Sequence, residues 1–133
     1  MAVGTDEMWD LMVQGSDELA LELGLRDFSP RALAAVDDWL ERIGGAAGPP
    51  LGDEQVARLG CLLARVLTET HGGGLVIIRR ADHPLDGEWA VTGFARGLAN
   101  DYHVPFMISA ARIGIDHSLS ARTWYQQLKA EGR

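Results

Sequence analysis

"THGGGLVII", Thr70 to Ile78, is the stretch where one hydrophobic period stops and another begins. Upstream, from about Asp53 to His71, apolar residues return every three or four positions. Val56, Leu59, Leu63, Val66 and Leu67 make a face of large side chains, and Ala57, Gly60, Cys61, Ala64 and Thr68 a second face of small ones. This is helix spacing, in which large residues fill a core and small ones let another backbone come close. Downstream, Leu75 to Ile78 is short, β-branched in part, and bounded by Gly and by Arg79-Arg80, the pattern of a strand buried on both faces. Glycine at a helix end takes the left-handed cap conformation, and a His there meets the negative end of the helix dipole. The stretch therefore predicts a central helix that ends at His71 and turns directly into a sheet.

Working outward, Glu88 to Phe94 alternates, with Trp89 and Val91 on one side and Ala90, Thr92 and Phe94 on the other. "ADHPLDG" between the two runs holds Pro and Asp-Gly, so they form an antiparallel hairpin, with a third short strand expected around Tyr102 to Val104. Pro105 opens a helix with Phe106, Ala110 and Ile113 on one face and Gly114 near its end. Asp116 or Ser118 starts a last helix, in which Ala121, Trp124, Tyr125 and Leu128 share a face.

Toward the N-terminus, Ser29 caps and Pro30 opens a helix whose apolar face is Leu33, Val36, Leu40 and Ile43; Asp37, Asp38 and Glu41 form its wet side. Gly44-Gly45 stops it, and "GGAAGPP" (44–50) is a loop rather than a domain boundary. Before it, Thr5 caps a helix with Met8, Leu11 and Met12 on its apolar side. Gly15-Ser16 interrupts that pattern and Ser16-Asp17-Glu18 reads as a second start, so the segment is one bent helix or two. The result is a single α+β domain, 1–133: N-terminal helices and a central helix packed with a small two- or three-stranded antiparallel sheet, followed by C-terminal helices.

A chain of 133 residues, 47% hydrophobic, can bury a core without metals or disulfides, and the single Cys61 permits no internal disulfide. Ten of the acidic but only three of the basic residues precede residue 49, so that part holds the whole net charge of −7. Such a surface repels phosphate backbones, and no Lys/Arg stripe interleaved with aromatics occurs, which argues against nucleic acid as a partner. No run is long enough for a membrane helix, and "MAVGTDEMWD" is acidic where a signal peptide is basic; the expectation is a cytoplasmic protein. Abundant Ala, Gly, Arg and Asp beside one Lys fit a GC-rich bacterial genome.

His71-Gly72-Gly73-Gly74 has the letters of an esterase oxyanion hole, but it follows a helix and enters a strand, and no Gly-x-Ser-x-Gly elbow exists to use it. Asp116-His117-Ser118 has the letters of a hydrolase triad, yet adjacent residues cannot form its hydrogen-bond chain. Cys61, on a small-residue helix face, reads as core, not nucleophile. Arg79 and Arg80 at a strand end are able to hold an anion or an acidic partner. Trp39, Trp89, Trp124 and Tyr125 read as core or half-core, with Trp89 also a candidate for a binding surface.

Leu59-Gly60 early in a helix, Gly72-Gly73 at its end, the apolar strand Leu75 to Ile78, Pro105-Phe106 opening a helix and Arg112 near its end form a connected pattern. On these residues, about 50 to 128, the chain resembles a family of small bacterial domains of unknown function; the resemblance implies an α+β fold and no defined activity. The leading functional expectation is a non-enzymatic protein-binding module, an accessory, adaptor or immunity-type protein without cofactor. Its candidate contact residues are Asp37, Asp38, Glu41, Arg79, Arg80 and Trp89, and acidic helices steer a basic partner. One alternative is a metal-dependent or acid–base enzyme using His83, His103 and His117, each of which has an Asp beside or near it. Another is a homo-oligomeric structural component.

Overall fold

The computed structural model describes residues 5–43, 51–116 and 119–132. In order these form α1 (Thr5–Leu23), α2 (Arg31–Arg42), α3 (Asp53–His71), β1 (Gly74–Ile77), β2 (Trp89–Thr92), α4 (Phe106–Ala111), a π-type turn (Arg112–Asp116) and α5 (Ala121–Glu131). This is the expected α+β arrangement, helices on either side in sequence of a small antiparallel sheet. β1 pairs with β2 with Leu75 opposite Val91 and Ile77 opposite Trp89. The third strand expected around Tyr102–Val104 contracts to a single bridge, Val91 to Val104.

α3 is the central element, as its two apolar faces require. Leu59, Leu62, Leu63, Val66 and Leu67 are fully buried, and α1 and α4 both lie against it. Its small residues are the points of closest approach: a Cβ on Gly15 of α1 would sit 2.7 Å from Cys61 Sγ, and one on Gly60 would strike Met107 of α4. This settles the question of α1, which is one unbroken helix of 19 residues. Gly15 lowers helix propensity locally, but it lets α1 come close to α3, and that packing outweighs roughly 1 kcal/mol of propensity. Ser16 is buried there and satisfied, donating to the Val13 carbonyl (3.0 Å) and accepting from Arg65 (3.2 Å).

The junction departs from expectation in three details. Gly72 has φ 76° and ψ −157°, the extended glycine-only region rather than the left-handed cap, while its N–H still closes the helix on the Thr68 carbonyl at 2.9 Å. The cation at the negative end of α3 is Arg96, whose guanidinium donates to the Glu69 carbonyl at 3.3 Å. His71 is buried instead. Finally β1 is only partly covered: Leu75 on one face and Ile78 on the other are buried, while Val76 and Ile77 between them are half-exposed.

α5 begins at Ala121, later than either Asp116 or Ser118 would start it; Ser118 and His117 lie outside the described residues. Its local cap is Ser120, whose Oγ accepts the Thr123 N–H at 3.1 Å. A second cap comes from far away in sequence. Asp37 of α2 accepts the Ala121 N–H at 2.7 Å and the Arg122 Nε–H at 3.0 Å, and is buried in doing so. A carboxylate there satisfies free N–H groups at the positive end of a helix dipole. Asp37 is thus a strut between α2 and α5 and not part of the wet side assigned to it.

Candidate functional site

The predicted contact residues fall in three separate places. Asp38 and Glu41 remain exposed on α2, beside a shallow depression bordered by Leu23, Ala35 and Arg42. With Asp37 withdrawn into its cap, no acidic cluster of three exists on this face.

Trp89 lies at a groove of about 330 Å³ between α1, α3, β2 and α4. Its walls are Leu11, Ala57, Cys61, Trp89 and Met107, and its rim carries Glu18, Glu54 and Arg58. Arg58 bridges the two carboxylates, at 2.9 Å to Glu18 and 2.7 Å to Glu54, leaving the rim one negative charge in excess. Leu11, expected on the inner side of α1, is 46% exposed. The helix has two stripes: Met8, Met12, Ser16 and Leu19 face α3, whereas Leu11, Gln14, Glu18 and Leu21 recur at spacings of three, four and three on the outer side. Leu21 is 86% exposed, among Asp17, Glu18 and Glu22. Desolvation raises the Cys61 thiol to about 11, which keeps it protonated and unreactive in the groove floor.

The third place gathers four predicted residues. Arg79, Arg80, His83 and His103 line one cleft of about 490 Å³, together with Val76, Ile78, Leu85, Asp101 and Tyr102. It lies on the sheet face that carries Val76, Ile78 and Ala90, opposite the face whose Leu75 and Val91 enter the core. The hairpin supplies the arginines and His83, and the Val91–Val104 bridge holds 101–103 across from them. The loop is closed by its own hydrogen bonds: Arg80 N–H to Asp86 Oδ1 at 2.7 Å, Gly87 N–H to the Ile78 carbonyl at 2.8 Å, and Leu85 N–H to His83 Nδ1 at 3.1 Å. Among the described residues no ion pair engages Arg79 or Arg80, and no group of three or more His, Cys, Asp or Glu is placed to hold a metal ion. His117, the third residue of the metal alternative, lies outside the described residues.

His71 is the histidine that sequence reasoning placed least well. Its Nδ1 lies 3.0 Å from the Arg96 carbonyl and its Nε2 2.8 Å from the Tyr125 hydroxyl. A carbonyl only accepts, so Nδ1 carries the proton and Nε2 accepts from Tyr125. Burial pushes the imidazole below its ordinary value, with the charge of Arg96 adding to the effect against the hydrogen bond to its carbonyl. Phe94 meets the ring edge-on, with centroids 6.2 Å apart. Both nitrogens are engaged, so the ring serves the fold and not proton transfer to a ligand. No helix among the described residues is long and apolar enough to cross a membrane. Compared with models of known protein families, with curated proteins and with solved structures, the chain finds no match.

Proposed function

We propose that the protein is a non-catalytic binding module that receives an amphipathic, basic segment of another protein along α1 and the adjoining groove. The observation that carries this reading is the outer stripe of α1, where Leu11 and Leu21 stand exposed at helical spacing among carboxylates. Both leucines lie on the side of the helix that does not fill the core. Apolar residues rimmed by charge are the common form of a surface that buries itself against a partner. A helix laid along a groove uses anchors at the same three- and four-residue spacing, and its lysines or arginines would meet Asp10, Asp17 and Glu22.

The test uses a designed Leu/Lys amphipathic helical peptide and its Leu/Glu counterpart, followed by amide chemical shifts in the full-length protein. The Leu/Lys peptide should shift Gly15, Ala57 and Trp89 saturably, and Leu11→Glu with Leu21→Glu should abolish the shifts without unfolding the chain. Equal binding of both peptides, or binding that survives the double substitution, would overturn the proposal. So would light scattering that shows a dimer in the parent chain and a monomer in the double variant.

A further inference from the structure

We infer that the cleft on the outer face of the hairpin is a site for a small organic anion, a phosphate or carboxylate head carried on an apolar body. The inference stands apart from the α1 groove: the cleft belongs to the other face of the sheet, and its cations come from the hairpin loop. Three features carry it.

The first is charge. In a chain of net charge −7, Arg79 and Arg80 are adjacent, exposed and without an ion-pair partner among the described residues, at the mouth of a cavity large enough for a small ligand. A guanidinium binds carboxylate and phosphate oxygens with paired N–H groups, so either arginine can hold an anionic head at the mouth. The second is the polarity of the two imidazoles. His83 Nδ1 accepts the Leu85 N–H, so in the neutral ring Nε2 carries the proton and is a donor. His103 Nδ1 lies 2.9 Å from the Asp101 carbonyl and must donate, so in the neutral ring its Nε2 is an acceptor. The pair thus offers one donor for an anionic oxygen and one acceptor for a protonated oxygen or an N–H of the same ligand. The third is the apolar lining: Val76, Ile78 and Leu85 would be wasted on a bare ion.

Asp101 also lines the cleft. Its carboxylate weakens the hold on a doubly charged head relative to a singly charged one.

The test titrates the full-length protein with phenyl phosphate, phenylacetate and inorganic phosphate, observing the imidazole Cε1–H signals. At least one phenyl compound should shift His83 and His103 saturably while the buried His71 stays fixed, and which one does so identifies the head. Inorganic phosphate should bind roughly tenfold more weakly or worse, for want of the apolar body. Arg79→Gln with Arg80→Gln should weaken the phenyl compound at least tenfold. The inference fails if neither phenyl compound shifts the two histidines at millimolar concentration. It also fails if inorganic phosphate binds as tightly, or if the double glutamine variant, shown folded by an unchanged His71 signal, binds as well as the parent.

Discussion

The β-hairpin has two ends, and they are built for opposite purposes. At the junction end, where α3 turns into β1, polar groups are buried and paired: His71 holds Arg96 and Tyr125, and the Ala95 and Arg96 N–H groups both reach the His71 carbonyl, at 2.9 and 3.3 Å. At the loop end, Arg79, Arg80 and His83 are exposed, and the hydrogen bonds that shape the loop are made mainly by its backbone and by Asp86. Polar side chains at the first end fix the fold, because each would be costly if left unpaired. Those at the second end are left with their charge available. The same residue type, histidine, has both ring nitrogens engaged in one place and, among the described residues, only its Nδ1 in the other, and burial makes the difference.

The sharpest way to break the junction is Gly97→Ala. Gly97 has φ 80°, and a Cβ there would collide with the His71 ring. The left-handed backbone and the displaced imidazole together should cost about 3 kcal/mol, seen as a lowered urea midpoint with an unchanged slope. Tyr125→Phe is gentler. It removes the donor to His71 Nε2 and leaves a buried acceptor unpaired, for about 1–2 kcal/mol and a melting point lower by about 4–7 °C.

His71 also gives the junction a pH signature. Its pKa is depressed in the folded state, so the unfolded chain binds the proton more readily as pH falls. The neutral-ring contribution is complete above the unfolded value of about 6.5 and is lost as pH drops below it toward the folded value. Thermal melts at pH 7.5 and 5.0 should therefore converge in His71→Gln relative to the parent chain. An unchanged difference would mean that the imidazole titrates alike in the folded and the unfolded chain.

What the residues disclose in advance follows the range of the forces involved. The limits of α3 are legible because periodicity and an acidic first turn lie within the helix and a glycine stop lies directly after it. The hairpin is legible for the same reason. Asp37 is not, since three acids at positions 37, 38 and 41 look alike along α2. Only the arrival of the α5 N-terminus, 84 residues away, turns one of them inward. Leu11 misleads in the opposite sense: it is apolar, close to Met8 and Met12, and yet lies on the outer stripe, which the three- and four-residue spacing of Leu11, Gln14, Glu18 and Leu21 would have shown. For the cleft, Arg79, Arg80 and His83 are neighbours in sequence, but the sequence offers the arginines as contact residues and His83 only as a metal ligand or acid–base group. That His103 joins them depends on one bridge, Val91 to Val104, too short to leave a periodic trace.

The loop end supplies the smallest expected effect. Arg79→Gln, Arg80→Gln and His83→Ala, taken singly, should each change stability by no more than about 0.5 kcal/mol, because each side chain is exposed and an exposed charge contributes little to folding. His83→Ala is the most demanding of the three, since it removes the acceptor for the Leu85 N–H, a 3.1 Å bond that holds the loop turn. Water can replace that acceptor at an exposed site, so the loss stays within the same range. A drop above 1 kcal/mol in any of the three, measured by urea unfolding, would show that the loop end is bound into the fold as the junction is, and the contrast between the two ends would disappear.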